Sequence, residues 1–196
     1  MTSIKAKSHP ILALAAAAVL AGCAGVQDTT VSVPSHAADA SGSLLASVSK
    51  RAVTVAPFTI DRGVGELPGR IGERTTVGDV TMGYVTLTPP PEVLFTNAIS
   101  AELAAAGHTV SGGPSRVSGT VTRFALSTPA TALYWDVTID AAVAMNVNGT
   151  SLSYADRCVQ RTYSWPSDEL IGKLSRSCIA SIASKFSRDR RAANAL

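Results

Sequence analysis

The clearest pattern along the chain lies between 135 and 147, where Trp135, Val137, Ile139, Ala141, Val143, Met145 and Val147 alternate with Asp136, Thr138, Asp140 and Asn146. A period of two over that length predicts a long β-strand with one buried face. Asn148-Gly149 follows directly, a pair suited to the positive φ angles of a two-residue type I′ turn, so a second strand should return antiparallel from Thr150. In that register Val147 faces Thr150, Met145 faces Leu152, Val143 faces Tyr154 and Ile139 faces Cys158. The same register turns Asp156 inward, and a bulge near Ala155 would reverse everything beyond it. Upstream, 116–127 carries Val117, Gly119 and Val121, then Phe124 and Leu126, a third strand with its own phase shift. The three are expected to form an antiparallel meander.

Two stretches carry the helical period instead. In 91–106, Phe95, Ile99, Leu103 and Ala106 fall on one face with Leu94 and Ala98 beside them, Pro91 suits the first turn, and Gly107 is placed to end the helix. After Trp165-Pro166, Ile171, Leu174, Cys178, Ile182 and Phe186 form a second stripe, with Pro166 or Ser167 at its start. Between 52 and 88 the pattern is weaker. Residues 52–60 are β-rich with a phase change at Pro57 that suggests an edge or a bulge, and glycines at 63, 65, 69, 72, 78 and 83 imply loops with short strands near 71–76 and 82–87. The sum predicts an α+β fold: an antiparallel-dominated sheet with two helices packed on one face.

Ahead of this domain, an apolar run from Ile11 to Ala21 follows Lys5 and Lys7 and closes on Leu20-Ala21-Gly22-Cys23. It is about half the length of a permanent membrane span, and small residues crowd its end, so it reads as a cleavable signal. The last four residues resemble the lipobox of bacterial lipoproteins. That resemblance implies that the Cys23 thiol receives a diacylglycerol, that cleavage falls before it, and that its new amine can be acylated. An ordinary secretory signal cut elsewhere would leave Cys23 lost or as an incidental thiol. In the resembling lipoproteins an Asp directly after the cysteine retains the protein in the inner membrane; here Ala24 follows, which favours the outer membrane, periplasmic face. From 24 to 49 the chain is Ser, Ala, Thr, Gly and Val with Pro34 and no sustained apolar period, the composition of a flexible tether reaching roughly 25–30 Å. Leu44 and Leu45 could add a short element to the domain. The expected division is therefore 1–22 signal peptide, 23–50 lipidated tether and 51–192 a single domain.

Charge and cysteines narrow the class. The net charge of +3 falls to about +1 without Lys5 and Lys7, and no basic block of nucleic-acid-binding size is present. The local concentration Lys185, Arg188, Arg190 and Arg191 reads as favourable charge at a helix C-terminus, or as an anionic-lipid contact. Cys158 and Cys178 remain after lipidation, an even pair for an oxidising compartment on faces expected to meet. They are expected either as a disulfide stapling the last helix to the sheet or as separate buried thiols.

Material for catalysis is poor. The mature chain keeps His36 and His108, the cysteines lack metal-ligand spacing, and neither H-E-x-x-H nor G-x-S-x-G occurs. The glycines from Gly63 to Gly72 satisfy neither a dinucleotide fingerprint nor a P-loop. Asp136 and Asp140 share a polar strand face but stand about 13 Å apart, which makes them two surface carboxylates. No cofactor, metal or catalytic residue is expected. Tyr134, Trp135, Tyr163 and Trp165 meet at one end of the expected hairpin, where they either pack beneath the last helix or contact a partner or lipid.

The lipobox, Ile71-Gly72-Glu73-Arg74, the segment Glu102-Leu103-Ala104-Ala105-Ala106-Gly107-His108 and the meander after it resemble YajG-type bacterial lipoproteins. The resemblance implies an outer-membrane address and an α+β domain, and supplies no catalytic residue. A second likeness is to periplasmic auxiliary lipoproteins of ABC-type lipid transport systems. The expected function is a non-enzymatic interaction or scaffolding module, bound to the membrane through acyl chains on Cys23 and docking an envelope protein rather than nucleic acid. The alternative is a lipid-binding auxiliary subunit, which would need an apolar groove between helices and sheet.

Overall fold

The computed structural model describes residues 27–61 and 67–196. The signal peptide, Cys23 and the Gly63-Val64-Gly65 segment lie outside the described residues.

The meander forms as its pattern dictates. Strands β6 (Ser115–Ser127), β7 (Trp135–Val147) and β8 (Thr150–Thr162) are antiparallel neighbours. Asn148 and Gly149 turn with φ of 48° and 90°, and the register runs unbroken from Val147 opposite Thr150 to Trp135 opposite Thr162. No bulge relieves Asp156. Its carboxylate instead reaches the helix-side rim, 3.2 Å from Lys185. The phase shift in β6 is a register break between Val121 and Arg123, which keeps both Val121 and Phe124 buried.

Helix α1 (Pro91–Ala105) ends where Gly107 takes φ +91°, the His108 N–H bonding back to the Leu103 carbonyl. Helix α2 (Asp168–Ser187) is capped by Ser167, whose hydroxyl accepts from the Leu170 N–H. The two helices pack on each other over the sheet, and Phe95, Ile139, Ile171, Ile182 and Phe186 between the layers have no exposure. A third helix, α3 (Arg190–Ala195), closes the opposite end of the molecule. It brings Leu196 to 3% exposure, with the Leu196 carbonyl accepting from Ser115 and Arg51.

The expected antiparallel-dominated sheet with two helices is corrected by the pairing. Among the described residues the sheet has eight strands, including β1 (Thr29–Ser32), β2 (Val53–Val55), β3 (Thr59–Ile60), β4 (Arg70–Thr76) and β5 (Val80–Thr88), and it is mixed. Its main path runs β1-β5-β4-β6-β7-β8. Pairs β4–β5, β6–β7 and β7–β8 are antiparallel, whereas β1–β5, β2–β6, β3–β6 and β4–β6 are parallel. The cause is topological. Helix α1 is a crossover that carries the chain from β5 back along the sheet, so β6 enters beside β4 in the same direction. The break at Pro57 separates β2 from β3, which lie in line along β6.

The described part of the expected tether, 27–50, is also corrected: it belongs to the domain. Thr29–Ser32 adds a strand to β5, Val31 and Val33 are 2% and 3% exposed, and Leu45, in a short 3-10 turn at Leu45–Ser47, has no exposure. The His36 Nε2 meets the buried Glu102 carboxylate of α1 at 2.7 Å. The sheet curls until its first and last strands both touch α2. Gly172 leaves room for Ser32 of β1, where a Cβ would lie 3.2 Å from the Ser32 carbonyl oxygen, and Cys178 meets Cys158 of β8. At the C-terminal end the domain runs past the expected limit of 192 to Leu196.

Candidate interaction surface

One end of the sheet gathers the four aromatic residues singled out in the sequence. Because Trp135 opens β7 opposite Thr162 at the close of β8, the segments flanking both strands must meet there. Tyr134 and Tyr163 stand edge to face at 6.4 Å between centroids, and Trp135 and Trp165 at 5.9 Å. The Trp135 indole N–H donates to the Thr75 carbonyl at 3.1 Å, which ties the pair to β4. Arg161 lies 3.8 Å over the Tyr134 ring while its guanidinium grips Asp136 with two bonds of 2.8 and 2.9 Å. That grip holds the Asp136 carboxyl below the usual carboxylate range. Trp135 and Tyr134 are half-buried, but Tyr163 is 77% and Leu133 76% exposed, so packing beneath α2 does not use up this cluster. Sequence reasoning missed Leu133, together with Val77 and Val80 of the neighbouring β4–β5 turn. These are lone apolar residues in loops or at a strand end, without period.

Strand β8 has β7 on one side and no strand on the other. Side chains bond three outward-facing backbone groups of its first half: Arg191 donates to the Ser151 carbonyl, Lys185 to that of Ala155, and the Asp156 carboxylate accepts the Arg157 N–H. By the two-residue alternation, Val159 and Arg161 also turn their backbone groups outward. Among the described residues no bond to those groups is recorded, and Val159 is 54% exposed. The basic residues at the C-terminus therefore include two covers of a sheet edge, a role that only the tertiary structure reveals.

Cys158 and Cys178 form a disulfide, Cα atoms 5.7 Å apart, that fastens α2 to this same strand. Asp140 sits between Arg157 at 3.6 Å and Arg123 at 3.9 Å, so each surface aspartate of β7 has a cationic neighbour on an adjacent strand. The histidines are held inside. His108 Nδ1 accepts from the Arg51 N–H, which leaves its Nε2 to donate to the Leu45 carbonyl at 3.0 Å. Among the described residues no three His, Cys, Asp or Glu side chains come together as a metal site, and no helix is long and apolar enough to cross a membrane.

Fold and surface together define a small mixed-sheet domain with one covered face, one half-open edge and one aromatic end. No described protein family and no curated protein matches the sequence. Among solved structures the chain is similar to protein XCC0632 of Xanthomonas campestris, of family DUF330, with a TM-score of 0.54 at 12% identity over 86% of this chain and 96% of that one. A minor lipoprotein of Acinetobacter baumannii gives 0.41 at 9% identity over 75% and 95%. The first likeness is one of fold alone, and the second is too distant to argue from.

Proposed function

We propose that the chain is a non-enzymatic lipoprotein of the bacterial cell envelope, held at the periplasmic face of the outer membrane by acyl chains on Cys23, that docks an envelope protein through β8. The observation that carries the docking is the uneven edge: side chains bond three outward backbone groups between Ser151 and Arg157, and among the described residues no side chain bonds those of Val159 and Arg161, where Val159 is 54% exposed. An unprotected strand edge accepts an extended segment by main-chain hydrogen bonding, and side chains bonded along the rest of the strand obstruct such pairing there. The lipobox pattern at Leu20-Ala21-Gly22-Cys23 supports the anchor. The bonds that occupy both histidines support the non-enzymatic reading. The carrier alternative asks for a hollow between helices and sheet, where fully buried Phe95, Ile139 and Phe186 already fill the layer.

In-cell crosslinking of the lipidated protein, with mass spectrometry of what copurifies, tests this reading. The controls are Cys23→Ser, which removes the anchor, and Val159→Pro, which removes an outward N–H without touching the β7 ladder. A discrete envelope protein captured by the parent and lost in Val159→Pro is expected. Its full retention in that variant would exclude docking at the edge.

A further inference from the structure

Five of the exposed large apolar side chains, Val77, Val80, Leu133, Tyr163 and Trp165, lie at one end of the sheet, and the N-terminal segment enters the fold at that same end. Strand β1 runs parallel to β5 from Thr29 opposite Val85, and ahead of it the Gln27 N–H bonds to the Met82 carbonyl at 3.1 Å, two residues from the start of β5 at Val80. The buried Arg74 guanidinium bonds both Thr29 at the start of β1 and Asp168 at the start of α2. The entry of the chain is thereby placed beside the Tyr163–Trp165 segment, which leads into that helix. Packing continues up to this point: a Cβ at Gly83 would lie 2.0 Å from the Gln27 carbonyl oxygen, so the backbone ahead of β1 runs close against β5.

We infer that this end of the domain rests on the lipid bilayer. The inference depends on the reading of Cys23 as acylated, and its force comes from chain length. Only four peptide steps separate Cys23 from the hydrogen-bonded Gln27, a reach of at most about 14 Å when fully extended. An acylated Cys23 lies in the interface of the membrane, so the end of the sheet that receives the chain cannot stand away from it. What that end presents is the composition of a membrane–water interface: tyrosine and tryptophan rings with polar tips, bordered by aliphatic side chains. Asp136 and Asp168 are matched by Arg161 and Arg74, Asp79 is exposed in the β4–β5 turn, and among the described residues no basic cluster lies there, so the contact does not draw on anionic lipid. Lys185 and Arg191, the cations that cover β8, sit toward the other end of that strand.

The chain contains two tryptophans, Trp135 and Trp165, and both are at this end, so selectively excited tryptophan fluorescence reports on it alone. The test uses the natively lipidated protein in vesicles of zwitterionic phosphatidylcholine. Acyl-brominated lipid serves as the quencher from within the bilayer and iodide as the quencher from water. Mass spectrometry of the N-terminal peptide and flotation with the vesicles establish the anchor separately. Brominated lipid is expected to reduce tryptophan emission to about half or less, with iodide having little effect, and Trp165→Phe should remove most of the lipid quenching while leaving flotation unchanged. An acylated, floating protein that iodide quenches and brominated lipid does not would overturn the orientation alone and assign the aromatic end to a protein partner. An unmodified Cys23 peptide would overturn the anchor reading and this inference with it.

Discussion

Opening the Cys158–Cys178 bond is a perturbation whose size follows from its place in the chain. The bond closes a loop of 20 residues. In the chain-entropy treatment a loop of that length restricts the unfolded state by about 11 cal/mol/K, or about 3.3 kcal/mol at 25 °C. In a domain of this size each kcal/mol moves the melting temperature by about 2–4 °C, so the melt should fall by about 7–13 °C. Two routes to the open form separate loop entropy from packing. Cys158→Ala with Cys178→Ala also deletes a fully buried sulfur that lies 3.5 Å from the Ile139 carbonyl oxygen, whereas reduction of the parent deletes no heavy atom. Both forms of the soluble chain beginning at residue 24 would be followed by circular dichroism on heating and by urea titration. The reduced parent should lose most of the stated amount, the double variant slightly more, and the urea slope should rise as the denatured chain expands. Oxidised and reduced parents melting within about 1 °C of each other would refute the reasoning, and would mean that the apolar stripe of α2 alone holds it on β8.

His36→Ala leaves the buried Glu102 without its hydrogen-bond partner and should cost about 1–3 kcal/mol in urea unfolding, while His36→Leu with Glu102→Leu should recover most of it. A single variant within about 0.5 kcal/mol of the parent would show that the pair is dispensable. Burial, and then the hydrogen bond to Asp189, push the Tyr154 phenol well above its ordinary value. The protonated phenol is therefore favoured in the fold, and its contribution is present below the ordinary tyrosine pKa near 10 and lost as pH rises past it toward the higher folded value. Urea midpoints at about pH 9 and pH 11 should fall more steeply in the parent than in Tyr154→Phe, and equal slopes would contradict the assignment.

What was legible in the sequence is what a local pattern can specify. Alternation through Val147, the Asn148-Gly149 turn and the stripe from Ile171 to Phe186 each require only near neighbours, and together they bring Tyr134, Trp135, Tyr163 and Trp165 to one place. Strand direction is different, because periodicity records which face is buried and is silent on which way the neighbour runs. The parallel pairing of β4 with β6 depends on where α1 sets the chain down. The covers of β8 join Arg191 to Ser151 and Lys185 to Ala155, pairs 40 and 30 residues apart. Charge composition alone presents them as a basic helix end.

The short first strand was hidden for a related reason, and it is the element with the largest functional consequence. Thr29–Ser32 offers one buried valine among polar neighbours, too few positions for a period of two to register, and its burial comes from β5 and from the space left at Gly172. Read as coil, that segment would let the domain drift some 25–30 Å from its anchor with no end preferred. Built into the sheet, it leaves four peptide steps and selects an orientation. On that orientation the covered half of β8 points away from the bilayer, and the open half, at Val159 and Arg161, lies beside the aromatic end. A partner strand added there would be received close to the lipid headgroups, so the anchor, the edge and the aromatic cluster would act as parts of one surface.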